Sequence, residues 1–319
     1  MVKNVSKSYR KKLVLKDVNF EIYHGDIFGI IGMSGSGKTT IFQLMSGILT
    51  PQAGDILVKS DTIQMHGKNV PDYVSILKNL TSIKRYFGFA SQHPSFYEHL
   101  TVDENLLMYG ALYGLPKSKV KENIAKLLHL VDLTQERDTL AAELSGGMQR
   151  RLDIACSLIH EPKVLFLDEP TSDLDPVMRK QIWNLIKEIH NKGTTVVLAS
   201  HILEEVEALC SKVAILSDRK VIGYGTLKEL KSLFRRNRQV KIELESGKYD
   251  SLIKRLKKEK NIERVMQKNN KLYIFIPNNS DITKNIIKAV ESSKEKLLSL
   301  DVSDASLSEI FETLMKKTQ

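Results

Sequence analysis

The chain has 319 residues, a formal charge of +10 and 42% hydrophobic residues, which points to two domains with packed cores. No segment approaches the roughly 20 consecutive apolar residues that span a bilayer, and the start MVKNVSKSYR lacks the apolar core of a signal peptide. Cys156 and Cys210 are the only cysteines, so a disulfide scaffold is excluded and a cytoplasmic protein with reduced core thiols is expected.

Ile27-Phe28-Gly29-Ile30-Ile31 is a short apolar run suited to a buried parallel strand. Residues Gly32 to Thr39 follow, reading GMSGSGKT and matching G-x-x-x-x-G-K-[ST] without a mismatch. Ile41, Leu44, Met45 and Ile48 then recur at helical spacing until Thr50-Pro51 ends the helix. Strand, glycine loop and helix N-terminus together make an anion site. Gly35 and Gly37 let the backbone approach a phosphate, and unpaired N–H groups point at it. Lys38 is expected to reach β- and γ-phosphates and the Thr39 hydroxyl to ligate magnesium. Gly32, Met33, Ser34, Gly35, Ser36, Gly37, Lys38, Thr39 and Thr40 are the nucleotide-binding candidates of this segment.

About a hundred residues on, Leu144 to Arg151 reads LSGGMQRR. Gly146 and Gly147 are expected to open a helix carrying Leu152, Ile154, Ala155, Leu158 and Ile159, which halts before Pro162. Its N-terminal amides suit a phosphate arriving from outside. Val164 to Leu167 is a second buried-strand candidate, ending in Asp168-Glu169-Pro170. Asp168 can complete magnesium coordination, and Glu169 can take a proton from an attacking water. Asp175-Pro176 has the form of an N-cap with proline at the first helical position. The helix it opens carries Val177, Ile182, Leu185, Ile186 and Ile189, and Gly193 closes it. Thr194 to Ala199 is the next strand, and His201 sits past its end, at the carboxyl-end crevice where open α/β sheets bind ligands.

Beyond residues 234–238 the pattern changes. Val240 to Leu244 alternates like a strand, and Leu252 to Leu256 lies in a lysine-rich helix. Ile262 to Met266 and Leu272 to Ile276 are strands joined by a turn at Asn269-Asn270. A helix with Ile282, Ile286, Ile287 and Val290, a strand at Leu297 to Val302 and a terminal helix with Leu307, Ile310, Phe311 and Leu314 complete the chain. The order βαββαβ is the split βαβ plan of ferredoxin-like domains. Residues 231–319 carry 20 Lys+Arg against 12 Asp+Glu, a charge of +8 out of the +10. These lysines read as solvated helix faces, and no specific nucleic acid is expected as a partner.

Taken in order, these motifs resemble the nucleotide-binding subunit of an ABC transporter over roughly residues 2 to 232. GMSGSGKT is similar to Walker A, Val164 to Glu169 to Walker B with its catalytic glutamate, and LSGGMQRR to the family signature. Ser172-Asp173-Leu174-Asp175 resembles the D-loop, Gln92 the Q-loop glutamine and His201 the switch histidine, while Tyr9 sits where the family stacks an aromatic on adenine. The resemblance implies an α/β P-loop NTPase fold over residues 1–233 with a helical subdomain at about 93–143. A small α+β ferredoxin-like domain is expected at 234–319.

It further implies ATP and magnesium as ligands, with Thr39, Gln92 and Asp168 on the metal and Glu169, His201, Gln92 and Lys38 as the catalytic set. Each ATP would lie between the phosphate loop of one subunit and Ser145, Gly146 and Gly147 of another, in a homodimer or pseudo-symmetric heterodimer. A separate transmembrane permease would hold the protein peripherally on the inner face of the membrane. DASLSEIFETLMKK, MYGALYGLP and the double arginine Arg150-Arg151 resemble ATPases of drug-resistance and lipid or polysaccharide exporters. An importer ATPase with a substrate-sensing tail, or a soluble ABC ATPase acting on nucleic acid or assembly, are the alternatives. Against the family pattern, the first strand is expected to be short or truncated, and residues 59–85 an inserted loop without assignable chemistry.

Overall fold

The computed structural model describes residues 1–10, 12–63, 71–233, 237–256, 262, 264–268, 270–277, 283–292, 295–304, 307 and 311. They cluster into two compact units, Met1–Thr226 and Leu227–Lys317.

In the first unit, β1 (Val2–Tyr9), β2 (Lys12–Phe20), β3 (Ile27–Ile31), β4 (Ala53–Lys59), β5 (Tyr73–Ser75), β6 (Phe87–Ala90), β7 (Val164–Asp168), β8 (Thr195–Ser200), β9 (Lys212–Ser217) and β10 (Lys220–Thr226) form two sheets. The helices are α1 (Lys38–Met45), α2 (Leu80–Ile83), α3 (Val102–Leu112), α4 (Lys117–Leu130), α5 (Gly146–Leu158), α6 (Pro176–Asn191) and α7 (Leu203–Leu209). The larger sheet has the order β10-β9-β3-β8-β7-β6, parallel from β9 to β6 with β10 antiparallel at its edge. The smaller is antiparallel, in the order β2-β1-β4-β5.

All five residues of β3 and all six of β8 are buried, as strands covered on both faces require. The core between the sheets is rich in phenylalanine. Phe42 of α1 meets Phe166 edge-on at 5.8 Å and Phe89 at 6.5 Å, and Phe87 meets Phe166 at 5.3 Å. Phe42→Ala should therefore cost about 3–5 kcal/mol, read as a lowered urea midpoint. The parallel register decides the site. It places Ile31 opposite Ser200 and Asp168 opposite Ala199, so the carboxyl ends of β3, β7 and β8 open on one edge.

Four sequence expectations for this unit need correction. β1 is a full eight-residue strand, paired with β2 on one side and β4 on the other, and is not truncated. α1 stops at Met45, because Gly47 turns left-handed at φ +77°, and Ile48 is 61% exposed. Val177, in the first turn of α6, is 67% exposed and faces away from Ile182, Leu185, Ile186 and Ile189, which are buried. The region 59–85 is more than an inserted loop. Tyr73 and Val74 pair with Lys59 and Val58, and Ile63, Val74, Ile76 and Ile83 belong to the core. Residues 64–70 lie outside the described set.

The helical segment forms as local signals dictate. Thr101 caps α3 in a reciprocal box: its hydroxyl accepts from the Glu104 amide (3.2 Å), and the Glu104 carboxylate accepts from the Thr101 amide (2.9 Å). Cys156 and Cys210 are free and buried, and burial pushes both thiols well above their ordinary value, which makes them unreactive core residues. Among the described residues, no helix is long and apolar enough to cross a membrane.

The second unit contains α8 (Leu227–Leu233), β11 (Asn237–Leu244), α9 (Asp250–Leu256), β12 (Arg264–Lys268), β13 (Lys271–Pro277), α10 (Thr283–Glu291) and β14 (Leu297–Asp304). Its sheet is antiparallel in the order β12-β13-β11-β14, which is the split βαβ arrangement. Val240, Ile242, Leu244, Leu252, Leu272, Ile274 and Ile286 fill its core. Tyr249 is buried with them, because its hydroxyl accepts from the Leu244 amide (3.1 Å) and donates to the Asn270 carbonyl (2.7 Å). β12 begins two residues later than the apolar run Ile262–Met266 suggested, and Ile287 is half-exposed. Ile282, Ile310 and Leu314 lie outside the described residues. Leu307 is buried.

Candidate functional site

The strand ends build a cleft of about 370 Å³ lined by Val14, Ser34, Gly35, Gly37, Lys38, Thr39, Thr40, Gln92, Glu169 and His201. The phosphate loop runs from β3 into α1, and Gly37 takes the N-cap position at φ +104° without any side-chain cap. The first amides of α1 are thus left for a ligand. Gly32 is required by space: a Cβ there would lie 2.4 Å from the Ser36 hydroxyl and 2.6 Å from the Leu216 carbonyl. Gly32→Ala should displace the loop and weaken ATP binding by at least about tenfold, read with a fluorescent ATP analogue.

Lys38 is held across the loop it will serve. Its ammonium donates to the Gly32 carbonyl (2.9 Å) and the Met33 carbonyl (3.3 Å) and lies 3.3 Å from Glu169 Oε1. The two side chains are 7% and 9% exposed, so the pair is largely desolvated. The other carboxylate oxygen, Oε2, accepts from the His201 amide at 3.3 Å and lies 2.8 Å from His201 Nδ1. Glu169 itself has φ +47°, a left-handed conformation uncommon for a residue with a side chain, and its amide donates to the Ala199 carbonyl (2.9 Å). A cation, a carboxylate and an imidazole therefore converge beside the uncapped N-terminus of α1. That combination can bind a polyphosphate and draw a proton from a water beside it.

Asp168 ends β7 and is buried. Burial pushes its carboxyl above the ordinary range, an effect that a hydrogen bond with Thr39 opposes. Its Oδ1 has no hydrogen-bond partner among the described residues. A buried, unpartnered carboxylate oxygen beside a threonine hydroxyl fits a small, hard divalent cation such as magnesium, with Gln92 on the same cleft.

Other expected residues lie elsewhere. Tyr9, at the end of β1, is 44% exposed and does not line the cleft. Met33 is exposed, while the Ser36 hydroxyl is buried without a described partner. Ser145 caps α5, its hydroxyl accepting from the Met148 amide at 3.4 Å. Gly146 follows with no atom within 4 Å of where a Cβ would stand, and Gly147 backs onto Met178. None of these three lines the cleft of this chain.

Sequence reasoning missed two buried groups behind the site. Arg150 was visible only as half of a double arginine, yet it is buried among backbone carbonyls. Glu205, also buried, accepts from the Thr171 hydroxyl (2.7 Å) and the Trp183 indole (3.1 Å). A charged residue within an apolar helical stripe was the available signal in both cases.

Residues 15–172 match the family model described as ABC transporter, and residues 225–314 match that of the ATP-binding protein DrrA1-3-like, C-terminal domain. The chain is similar to the linearmycin resistance ATP-binding protein LnrL of Bacillus subtilis, with 30% identity over 317 residues covering 99% of this chain and 97% of that one. The Nod factor export ATP-binding protein I of Sinorhizobium fredii is 35% identical over 222 residues, or 70% of this chain and 61% of the relative. Among solved structures, a dimeric ATP-binding cassette in a post-hydrolysis state with ADP and Pi superposes with a TM-score of 0.59 at 26% identity, covering 71% of this chain and 97% of that one.

Proposed function

The chain belongs to the ATP-binding proteins of ABC transporters and is an ABC ATPase, and from that premise we propose that it powers an exporter. ABC ATP-binding subunits dimerise and work with transmembrane permeases. In this reading two subunits close head-to-tail on two ATP molecules at the inner face of the membrane, and hydrolysis reopens them. The observation that carries the hydrolytic part of this reading is the Lys38–Glu169–His201 arrangement at the mouth of the phosphate loop, in which Lys38 and Glu169 are buried and His201 is exposed.

ATP phosphates take the amides of Gly35 to Thr39, and Lys38 turns from Glu169 to the β- and γ-phosphates. Released from Lys38, the Glu169 carboxylate accepts the proton of a water aligned on the γ-phosphorus. His201, beside Glu169, orients that carboxylate and stabilises charge on the γ-phosphate. Thr39, Asp168 and Gln92 would hold magnesium, which when bound screens the phosphate charge. The second wall of each site is Ser145, Gly146 and Gly147 of the partner copy, whose helix N-terminus meets the γ-phosphate.

Export is supported by the likeness to the Nod factor export ATP-binding protein I, beside a full-length relationship to the linearmycin resistance protein LnrL that extends through the second unit. The test is co-purification of the tagged chain from its native membrane. A permease of about six spanning helices and ATP-driven accumulation of solute inside inverted vesicles are expected. ATP-driven uptake into right-side-out vesicles that requires an external binding protein would convert the reading to an importer.

A further inference from the structure

Arg150 is 8% exposed and spends its whole fork on one task. Nε donates to the Pro170 carbonyl (3.0 Å), and Nη2 donates to the Asp168 carbonyl (3.1 Å). Nη1 donates to the Ser91 carbonyl (2.6 Å) and to Asp153 Oδ2 (3.1 Å). Asp153 is itself fully buried, and its Oδ1 accepts from the Ser95 amide (3.0 Å) and hydroxyl (2.7 Å). The two carbonyls taken from the β7 end are those immediately before and after Glu169. Ser91 is the residue before Gln92. Ser145, Gly146 and Gly147 start the same helix that carries Arg150.

A residue with a side chain stays at φ +47° only if its surroundings hold it there. Arg150 holds the carbonyls of the residues on both sides of Glu169, Asp168 and Pro170, and on the far side the Thr171 hydroxyl is fixed by Glu205. A planar guanidinium can reach three carbonyls and a carboxylate at once, whereas an ammonium cannot place donors in that fork.

We propose that Arg150 is a positioning residue for hydrolysis, holding Glu169 in its left-handed conformation and locking it to the Gln92 segment and to α5. Docking of a second copy's nucleotide at the start of α5 is then felt at the base, through one rigid side chain rather than through the loops. The proposal rests on the reading of Glu169 as the base.

The experiment compares the full-length parent with Arg150→Lys, Ser95→Ala and Glu169→Gln, and with the double variant Arg150→Lys/Glu169→Gln. It measures kcat, KM for ATP, equilibrium binding of ATP and the thermal midpoint. Arg150→Lys should lower kcat by ~10²-fold, as small misplacements of a reacting group do, while KM and ATP binding stay within about twofold. Ser95→Ala, which loosens Asp153 without touching the arginine, should lower kcat less and also leave KM unchanged. If Arg150→Lys fails to fold, that variant carries the test. The double variant should be no slower than Glu169→Gln alone, because both changes remove one function. A parental kcat in both Arg150→Lys and Ser95→Ala would overturn the proposal. So would binding, kcat and thermal midpoint falling together, or losses that multiply in the double variant. Glu169→Gln at the parental rate would instead overturn the base assignment beneath it.

Discussion

Glu169→Gln is expected to reduce steady-state ATP hydrolysis by ~10²–10⁴-fold, the usual contribution of a positioned general base, while ATP binding survives. The amide is nearly isosteric, so it can keep a contact with the His201 amide through its oxygen. It cannot take a proton, and it removes the buried charge that Lys38 faces at 3.3 Å. Lys38 therefore loses a competitor for the phosphate, and the ATP-bound state should gain lifetime. Phosphate release measured beside size-exclusion chromatography with ATP tests both halves. Turnover near the parental rate, or a variant that no longer binds ATP, would remove Glu169 from the role of base.

Replacement of Gly146 by leucine should also lower hydrolysis strongly, by a different route. A Cβ at Gly146 meets nothing within 4 Å among the described residues, so the larger side chain costs the isolated chain little. Gly146 opens α5 beside the Ser145 cap, where a nucleotide held by another copy would have to arrive. The leucine would block that approach and shield the helix N-terminal amides, donors aimed at charge that develops in the transition state, a loss of ~10²–10³-fold in rate. Binding of ATP by monomers should be unchanged, and ATP-dependent dimers should disappear. Weakened binding in the monomer would contradict a site shared between copies and place Gly146 inside the single-chain cleft. Gly147 makes a poorer test, because its Cβ would lie 2.7 Å from the Met178 sulfur and perturb α5 against α6.

Much of the first unit was legible because its signals are local. Five consecutive apolar residues give β3, a glycine at φ +104° followed by lysine and threonine opens α1, and Asp175-Pro176 starts α6 with the aspartate accepting from two amides. The second unit was legible in the same way, since alternation and helical spacing survive in each of its six core elements. The misreadings share a different cause. β1 was expected to be short because few residues precede Val5, but a strand is made by its neighbours: β2 pairs with it from Val2 to Tyr9 and β4 from Val2 to Ser6. Residues 73–75 carry no strong strand pattern and become a strand only because β4 offers an edge. Ile48 and Val177 continued an apolar period past the point where turn geometry or the helix rotation had left the core.

For the site, the residue types were fixed by sequence: a glycine loop with Lys38 and Thr39, Asp168 and Glu169 at a strand end, His201 past another, and the LSGG segment. Their chemistry follows from what each side chain can donate, accept or ligate, and that does not depend on the fold. Which of them meet was decided by tertiary structure alone. The parallel register of β3, β7 and β8 brings Lys38 within 3.3 Å of Glu169 and His201 within 2.8 Å, across separations of more than a hundred and of about thirty residues. It also leaves Ser145 to Gly147 outside that cleft and buries Arg150 against the carbonyls of Asp168 and Pro170, the residues that flank Glu169. A hydrogen bond demands atoms placed to within a few tenths of an ångström, and no pattern along a chain encodes that. Only the packing of strands and helices around a common core does.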